Sequence, residues 1–424
     1  MRLRSRIILI VCGLIIFIII GPSVILLARG FRYDFSQNRI VKTGTLVVKT
    51  DPKGARVFLN GKELKTSPLT QRFINPDEYF LEIEKDNYFP WRKRITIHPQ
   101  QVTAINPQDT DKIALFLNSP VISLVATSTA DFFAGKDEIF YINDGNVYRM
   151  SQGGENPALF ATSTQKLLSP RILTGNNDRV LVEEAGQIYY FSGAKQILLP
   201  DDFDQVVLGP GDTLYAKTRA GELVQFDLLT LKRESVANLV QAFAMFANDI
   251  YYISAETQPT LYQIAAGQAP RLLAGHLPQC PQDCKIIFTE DKQIFLLLDQ
   301  TLYKLNHELE KINSPVMYAD QTPDGLLYGN NNEVWLYRTF NRPPNQLLTR
   351  VSQKLGYSIY NKQTGYLFIA GGREIKAIEF DKSGQPNVYT LARTKNTDPK
   401  FSVNEDGTHL TYLDDGSFIT LQIR

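Results

Sequence analysis

Residues 139–148 read IFYINDGNVY, an apolar and aromatic run, an Asp144-Gly145 turn and a second apolar run. Val, Ile, Tyr and Phe are the residues that half-buried strands favour, and Asp-Gly supplies the positive φ angles that a tight hairpin turn needs. The stretch therefore predicts a β-hairpin. It decides the fold because the same pattern recurs along the rest of the chain.

Seven more copies of this hairpin follow, each with an apolar run, a short turn and a second run that begins with an apolar residue. Their paired runs are Val180–Val182 with Ile188-Tyr189, Leu214-Tyr215 with Leu223-Val224, Ile250–Tyr252 with Leu261-Tyr262, Ile294–Leu296 with Leu302-Tyr303, Leu326–Tyr328 with Val334-Trp335, Tyr366–Phe368 with Ile375, and Leu410–Tyr412 with Phe418-Ile419. The second runs begin at 147, 188, 223, 261, 302, 334, 375 and 418, so seven steps cover 271 residues and average about 39.

A period near 40 residues with four short strands per unit is typical of β-propeller blades. We therefore predict a propeller over residues 119–424, with eight blades, or seven if one copy is irregular. Turns such as Pro323-Asp324-Gly325 and Glu405-Asp406-Gly407 precede several first strands. They resemble the Ser-Pro-Asp-Gly repeats of TolB-type and WD-type propellers.

The last copy reaches only its third strand, Phe418–Ile423, so one outer strand is missing there. A strand from the N-terminal side would close the ring and remove an exposed edge. Ile113–Leu117 and Val121–Val125 are the two candidates.

Residues 44–118 predict a small antiparallel β-sandwich. Gly44–Thr50 alternates like a strand and leads into a Pro-Gly turn, and Asn60-Gly61 is the dipeptide best suited to a type I′ hairpin. Further strands are expected at Tyr79–Ile83 and Arg94–Ile97.

These turns resemble the PEGA domain, an extracytoplasmic β module named after its Pro-Glu-Gly-Ala turn. Here the turn is Pro52-Lys53-Gly54-Ala55, with Lys in place of Glu, and Val57, Asn60-Gly61, Thr66-Ser67-Pro68 and Tyr79 follow in the family's order. The family's two other glycine steps appear as Asn75–Glu78 and Asn87-Tyr88, and Asn is the residue that best replaces Gly at a left-handed position. The resemblance implies a cell-envelope or surface binding module without catalytic residues. The chain as a whole resembles bacterial membrane-anchored PEGA proteins.

Residues Ile7–Ala28 form an uncharged apolar stretch of 22 residues. A helix of that length, at about 1.5 Å per residue, matches a bilayer core of about 30 Å. The run is longer than the apolar region of a cleaved signal peptide, so we expect an uncleaved signal anchor. Three arginines precede it (Arg2, Arg4, Arg6) and two follow it closely (Arg29, Arg32), which favours an N-terminus in the cytoplasm.

The expected organisation is a cytoplasmic tail (1–6), a transmembrane anchor (7–28), a connector (29–43), the β module (44–118) and the propeller (119–424). The predicted location is the plasma membrane, with a single span and the bulk of the chain outside the cytoplasm. Beyond Cys12, the chain has only Cys280 and Cys284, which suit one local disulfide in an oxidising compartment. A metal site completed by His276 is the alternative, although three ligands at this spacing are not standard.

Tyr88, Trp91, Arg92, Lys93 and Arg94 lie close together in the sequence and form a possible glycan or anionic-polymer patch. The alternative interpretation is that the two aromatic residues fill the module's core and the cations lie on the solvated side of an edge strand.

Composition and motifs limit the function. With 45 Lys and Arg against 44 Asp and Glu, the chain lacks the cationic surplus of a nucleic-acid binder. No catalytic motif is present, no cofactor or metal is expected, and the four His lie far apart. We expect a non-enzymatic envelope protein, attached to the bilayer through residues 7–28, whose propeller binds a protein, peptide or glycan. The alternatives are a propeller hydrolase or lyase and a structural spacer.

Overall fold

The computed structural model describes residues 3–28, 30–34, 39–105, 110–165, 167, 169–176, 178–280, 284–323, 325–338, 344–380 and 385–424. The one α-helix of this part of the chain is α1 (Leu3–Ala28). Its Val11–Ala28 segment has a mean hydropathy of 2.8 and none of it is buried against the rest of the protein. Pro22 lies inside the helix without ending it. Its length and composition make α1 a candidate membrane span or signal anchor.

Eleven short strands follow α1. They are β1 (Phe31–Asp34), β2 (Arg39–Lys42), β3 (Gly44–Val48), β4 (Thr50–Asp51), β5 (Arg56–Leu59), β6 (Lys62–Thr66), β7 (Leu69–Ile74), β8 (Asp77–Glu84), β9 (Trp91–Ile97), β10 (Val102–Ile105) and β11 (Ile113–Ala114). A three-stranded sheet (β10-β3-β7) and a four-stranded sheet (β6-β5-β8-β9) share one hydrophobic core. Asn60 and Gly61 have φ angles of 49° and 76°, as a type I′ turn requires. Asn87 has a φ of 68°, so it holds the left-handed position expected of it.

The module departs from the predicted antiparallel sandwich at two strand pairs. β10 lies parallel to β3, with Val102 opposite Thr45 and Ile105 opposite Val48, and the two-residue β11 lies parallel to β4. The chain leaves β9 in the four-stranded sheet and returns to the other sheet, so it enters beside β3 through a crossover instead of a hairpin. Such crossovers produce parallel pairs. The sequence offers no turn motif that marks this crossover.

The rest of the chain forms a β-propeller, as the repeat predicts. Its strands are β12 (Val121–Ala126), β13 (Thr129–Ala134), β14 (Glu138–Asn143), β15 (Asn146–Ser151), β16 (Ala158–Ala161), β17 (Arg171–Asn176), β18 (Arg179–Glu184), β19 (Gln187–Ser192), β20 (Lys195–Leu198), β21 (Phe203–Leu208), β22 (Thr213–Thr218), β23 (Leu223–Asp227), β24 (Arg233–Ala237), β25 (Val240–Phe246), β26 (Asp249–Ser254), β27 (Leu261–Ile264), β28 (Arg271–Ala274), β29 (Cys284–Phe288), β30 (Ile294–Leu298), β31 (Thr301–Leu305), β32 (Leu309–Asn313), β33 (Tyr318–Thr322), β34 (Gly325–Gly329), β35 (Glu333–Tyr337), β36 (Asn345–Arg350), β37 (Ser358–Asn361), β38 (Tyr366–Gly371), β39 (Glu374–Glu379), β40 (Val388–Arg393), β41 (Phe401–Val403), β42 (His409–Asp414) and β43 (Ser417–Gln422).

These strands form eight four-stranded antiparallel sheets within the described residues, in chain order. The repeated hairpin of the sequence is the second and third strand of each sheet, as in the pair β14 and β15. In the last sheet, β12 pairs with β43, with Val121 opposite Gln422 and Leu124 opposite Ile419. Of the two candidate closing segments, the one that begins at Val121 therefore supplies the outer strand. Ile113-Ala114 pairs with the module instead.

A polar contact joins each pair of neighbouring sheets around the ring. In chain order these are Ile172 N to Asp131, Arg179 to Gly209 O, Gln205 to Phe243 O, Gln241 to Cys280 O, Lys304 to the Tyr337 hydroxyl, Tyr318 to Ser358, Asn361 to Asn404 O, and Lys400 to Asp131. Asp131 closes the ring, since it accepts from Ile172 N at 2.9 Å and pairs with Lys400 of the last sheet at 2.7 Å. The apolar cores of the propeller lie between neighbouring sheets, and these contacts fix how the sheets meet.

Candidate functional site

The first strand of each propeller sheet borders the central channel. Several neighbouring first strands contact one another, among them β13 with β17, β25 with β29, and β29 with β33. Two of these first strands, β25 and β29, carry the largely apolar segments Ala242–Phe246 and Lys285–Phe288. Function in a propeller is expected where such strands end, because a rigid ring holds the ends of many strands around one opening.

A cavity of about 550 Å³ opens where the first strands of several sheets end. Its walls carry amides and hydroxyls, such as Gln152, Gln321 and Ser402. Charged residues of both signs also line it: Lys136, Lys362, Glu290 and Glu405. The volume lies in the range of small-ligand and peptide side-chain sites. The mixture of donors, acceptors and both charges suits a polar ligand.

The cavity extends down to Tyr357, whose side chain is 40% exposed. Beside it, the hydroxyls of Tyr318 and Ser358 share a hydrogen bond of 2.7 Å. Burial and, to a smaller extent, the nearby Asp320 carboxylate together raise the pKa of Tyr357 to about 12. Burial also raises the pKa of Tyr318 to about 12, against the opposing effect of Ser358. Both tyrosines therefore stay protonated and can donate hydrogen bonds at neutral pH.

Asp320 is the acidic residue whose charge acts on Tyr318 and Tyr357. Displacement of water by the surrounding protein raises the pKa of its carboxyl, although Lys285 acts in the opposite direction. Among the carboxylates that the structure describes, it is the one with a clearly raised pKa. An acid whose charged form is disfavoured in a channel is a candidate for ligand contact. The sequence carries one weak signal for it, an acid inside a strand instead of in a turn.

A second, smaller cavity of about 370 Å³ lies near the start of β25 and β29. It is polar, and its walls include Lys217, Arg219 and both predicted disulfide cysteines. Cys280 and Cys284 form a disulfide, with their Cα atoms 5.8 Å apart. No group of three His, Cys, Asp or Glu within the described residues is placed to hold a metal ion.

The predicted surface patch does not exist as one surface. β9 alternates between the two faces of its sheet, so Trp91 and Lys93 are buried while Arg92 and Arg94 are exposed. Arg92 forms an ion pair with Glu82 of the neighbouring strand. Tyr88 is partly buried and packs against the module's core. The five residues therefore divide between an interior and a solvated face, and the patch interpretation is corrected on this point.

Trp91 and Lys93 instead meet Glu379 of the propeller. Trp91 Nε1 donates to Glu379 Oε1 at 3.1 Å, and Lys93 Nζ lies 3.3 Å from the same oxygen. The other oxygen accepts from the backbone N of Asn387 at 3.1 Å and from its side-chain Nδ2 at 2.7 Å. The side chains of Lys93 and Glu379 are 2% and 0% exposed. We call Trp91, Lys93, Glu379 and Asn387 the joint, because they hold the module against the propeller.

Aromatic and backbone contacts extend the joint. Phe89 stacks on Tyr389 with ring centroids 5.2 Å apart, and Phe116 meets Tyr366 edge to face at 4.9 Å. Leu117 N donates to Ile423 O at 2.9 Å. Sequence reasoning missed this contact region, although Trp91, Lys93, Ile95 and Ile97 share one face of a strand. That spacing is the signal that could have placed Lys93 inside.

The fold and channel define a β-propeller protein that carries a small β module. The PEGA domain matches residues 43–108, so the module is a PEGA domain. Among solved structures, the C-terminal WD40 domain of Sif2 is similar with a TM-score of 0.52 at 10% identity, over 72% of this chain and 99% of that one. The Dos1 propeller gives a TM-score of 0.47 at 12% identity, over 71% and 94% of the two chains. No curated protein sequence matches the chain.

Replacing Asp320 by Asn should stabilise the protein slightly at neutral pH, because Asp320 is exposed on β33 and water screens most of the effect of its charge. Because the pKa of Asp320 is raised in the fold, its contribution to stability is full below the unfolded pKa and is lost as pH rises through the folded pKa. Because Asn does not ionise, the Asp320→Asn variant does not lose this stability as the pH rises. In urea unfolding, the midpoint of Asp320→Asn should exceed that of the wild type at pH 7 and approach it at pH 4. Asp202→Asn, at an exposed ion pair with Arg233, is the control and should show no such gain. A lower midpoint for Asp320→Asn at pH 7 would contradict the assignment.

Removing Glu379 should be costly, since Glu379→Ala leaves Lys93 buried without its carboxylate. Breaking one side of a buried pair costs about 3–5 kcal/mol. The double variant Lys93→Met with Glu379→Ala should recover part of this loss, because it removes both charges but leaves Trp91 Nε1 and the two Asn387 donors without their acceptor. Denaturant unfolding of Glu379→Ala, Lys93→Met and the double variant measures the coupling. Additive losses in the double variant would show that the pair does not act as a unit.

Proposed function

We propose that the protein is a membrane-anchored, non-enzymatic binding platform whose propeller channel holds a polar peptide segment of a partner protein. The carrying observation is the 550 Å³ cavity at the ends of the first strands, which is lined by Tyr357 and beside which Asp320 lies close enough to act on Tyr357. Amide and hydroxyl walls supply both donors and acceptors for a peptide backbone. Lys136 and Lys362 face the same cavity as Glu290 and Glu405, so charged side chains of either sign find a counterpart.

The rival function, a propeller hydrolase or lyase, has less support. A glycosidase needs two carboxylates on either side of the scissile bond. Here the cavity's two glutamates, Glu290 and Glu405, are exposed charges that share the walls with Lys136 and Lys362. Asp320 has Lys285 and two tyrosines as its electrostatic neighbours. Tyrosines whose pKa lies well above 7 stay protonated at neutral pH, so they are hydrogen-bond donors and poor bases. This favours binding over bond cleavage.

The location is the second part of the proposal. The apolar helix α1 would anchor the chain in a cytoplasmic membrane, with the PEGA domain and propeller on the side away from the cytoplasm. The disulfide between Cys280 and Cys284 supports that side, since such bonds persist in oxidising compartments. The PEGA domain, joined rigidly to the propeller through Glu379, would hold the channel close to the bilayer.

Peptide selection on the full chain in detergent tests the channel. Sequences enriched from a random peptide library should bind the wild type and Leu272→Ala alike, because Leu272 lies exposed on the outer strand β28. The affinity of these peptides for Tyr357→Ala should be about tenfold lower, because the loss of one aromatic contact costs about 1.4 kcal/mol. Equal binding to both variants would reject the channel as the site. Cleavage of an enriched peptide by the wild type would reject the non-enzymatic role.

Protease treatment tests the side of the membrane. In cells stripped to the cytoplasmic membrane, external protease should digest Gly44–Arg424, whereas in inverted vesicles this part should survive. The reverse pattern would place the propeller in the cytoplasm. Because disulfides rarely persist there, thiol labelling after denaturation gives an independent reading, and Cys280 and Cys284 should remain unlabelled unless first reduced.

A further inference from the structure

The strands β1 and β2 form a two-stranded ribbon between the helix and the PEGA domain. Phe31 lies opposite Lys42, and Tyr33 lies opposite Ile40. Directly opposed residues of an antiparallel pair share one face, so these four side chains lie on the same side of the ribbon. We call this side the ribbon face. Tyr33 is 47% exposed and Ile40 is 58% exposed.

The ribbon lies at the end of the membrane helix. Gly30 N donates to Leu27 O at 3.1 Å, and Thr43 donates to Gly30 O through its backbone N at 2.9 Å and its hydroxyl at 2.8 Å. α1 also contacts β1. Hydrogen bonds thus connect the last turn of the helix, through Gly30, to the end of the ribbon where β1 begins and β2 finishes.

The opposite side of the ribbon, with Arg32, and the open end of the ribbon, with Lys42 and Thr43, are held by the PEGA domain. The Arg32 guanidinium lies over the Phe73 ring, 4.3 Å from its centre. Gln100 N donates to Thr43 O at 3.0 Å, and Lys42 Nζ donates to Gln100 Oε1 at 3.1 Å. The ribbon is therefore fixed between helix and domain, and its ribbon face with Tyr33 and Ile40 stays open.

The chemistry of this segment matches the surface of a bilayer. Tyrosine is enriched where membrane meets water, since its ring is apolar and its hydroxyl is polar. Residues 30–43 contain three cations, Arg32, Arg39 and Lys42, against the single acid Asp34. Basic residues beside a membrane helix attract anionic headgroups, and each one strengthens binding to the membrane about fivefold. Arg39 is exposed, and Lys42 Nζ lies 5.3 Å from the centre of the Phe31 ring.

We propose that the ribbon face is a lipid-contact surface, which inserts Tyr33 and Ile40 among the headgroups of an anionic bilayer while Lys42, on the same face, binds a lipid phosphate and Arg39, exposed on the other side of the ribbon, adds longer-range attraction to the anionic surface. The inference rests on the proposed anchoring by α1 and holds for either orientation of the chain. Two attachment points, the helix and the ribbon, fix the PEGA domain relative to the membrane. Through the joint at Glu379 they also fix the propeller.

A fluorescent probe on the full chain tests the contact. In a Cys12→Ala background, Ile40→Cys carries an environment-sensitive dye, and Leu272→Cys is the control because Leu272 is also an apolar strand residue with 58% exposure. The labelled chains are reconstituted in phosphatidylcholine vesicles with and without phosphatidylglycerol, with quencher groups on the lipid tails. The dye at position 40 should shift to the blue and be quenched, more strongly with phosphatidylglycerol, and the dye at position 272 should do neither.

Charge variants separate the two parts of the contact. Arg39→Gln with Lys42→Gln should reduce quenching in the phosphatidylglycerol vesicles to the level in phosphatidylcholine alone, and added salt should do the same in the unaltered ribbon. A water-like signal at position 40 in chains that resist alkaline extraction would overturn the ribbon contact and leave the anchor intact. Release of the chain by alkaline extraction would instead overturn the anchor.

Discussion

Glu379 is a carboxylate with no access to water, and such a charge is tolerated only when each oxygen has partners. Its partners come from both parts of the protein, Trp91 and Lys93 from the PEGA domain and Asn387 from the propeller. Separating the two parts would expose a lysine and a glutamate that are paired inside and would remove the aromatic contacts around Tyr389. The PEGA domain and the propeller therefore behave as one body, and the position of the domain decides the position of the channel.

That coupling explains why two short N-terminal strands matter to a ring of more than three hundred residues. A propeller on a flexible tether samples many heights above a membrane, whereas one fixed through a packed domain holds its channel at a single height and tilt. In the membrane attachment proposed above, Gly30 and Thr43 at the helix end and Glu379 at the joint would set this geometry. Within the ring, Asp131 connects the last sheet to the first two. The proposed binding chemistry of the channel and the proposed placement of the channel thus depend on different residues.

Much of the fold could be predicted from local pattern, and the reason is physical. A hairpin is specified by its own strands and turn, so Asp144-Gly145 and its counterparts reveal the propeller. The sequence left two candidates for the closing strand, Ile113–Leu117 and Val121–Val125, and only the structure selects the second. The parallel pair of β10 with β3 depends on a crossover that no turn residue marks. Glu379 lies 288 positions from Trp91, and nothing in either stretch alone indicates the other. Lys93 was predicted to be exposed because a cation usually lies on the solvated face of a strand. Its partner, Glu379, is too distant in the sequence to indicate otherwise.

The channel site was harder to foresee for a different reason. Asp320 and Tyr357 belong to neighbouring sheets, and their relation depends on how the ring brings the first strands together. What marks Asp320 is its environment, where the protein disfavours its charge, and sequence composition carries no measure of that. A carboxyl that weakens the fold when ionised gains most from a ligand that offers it a hydrogen bond or a positive charge. The same argument predicts which way affinity changes with pH: a cationic ligand group binds the ionised acid, so binding strengthens as pH rises through its folded pKa.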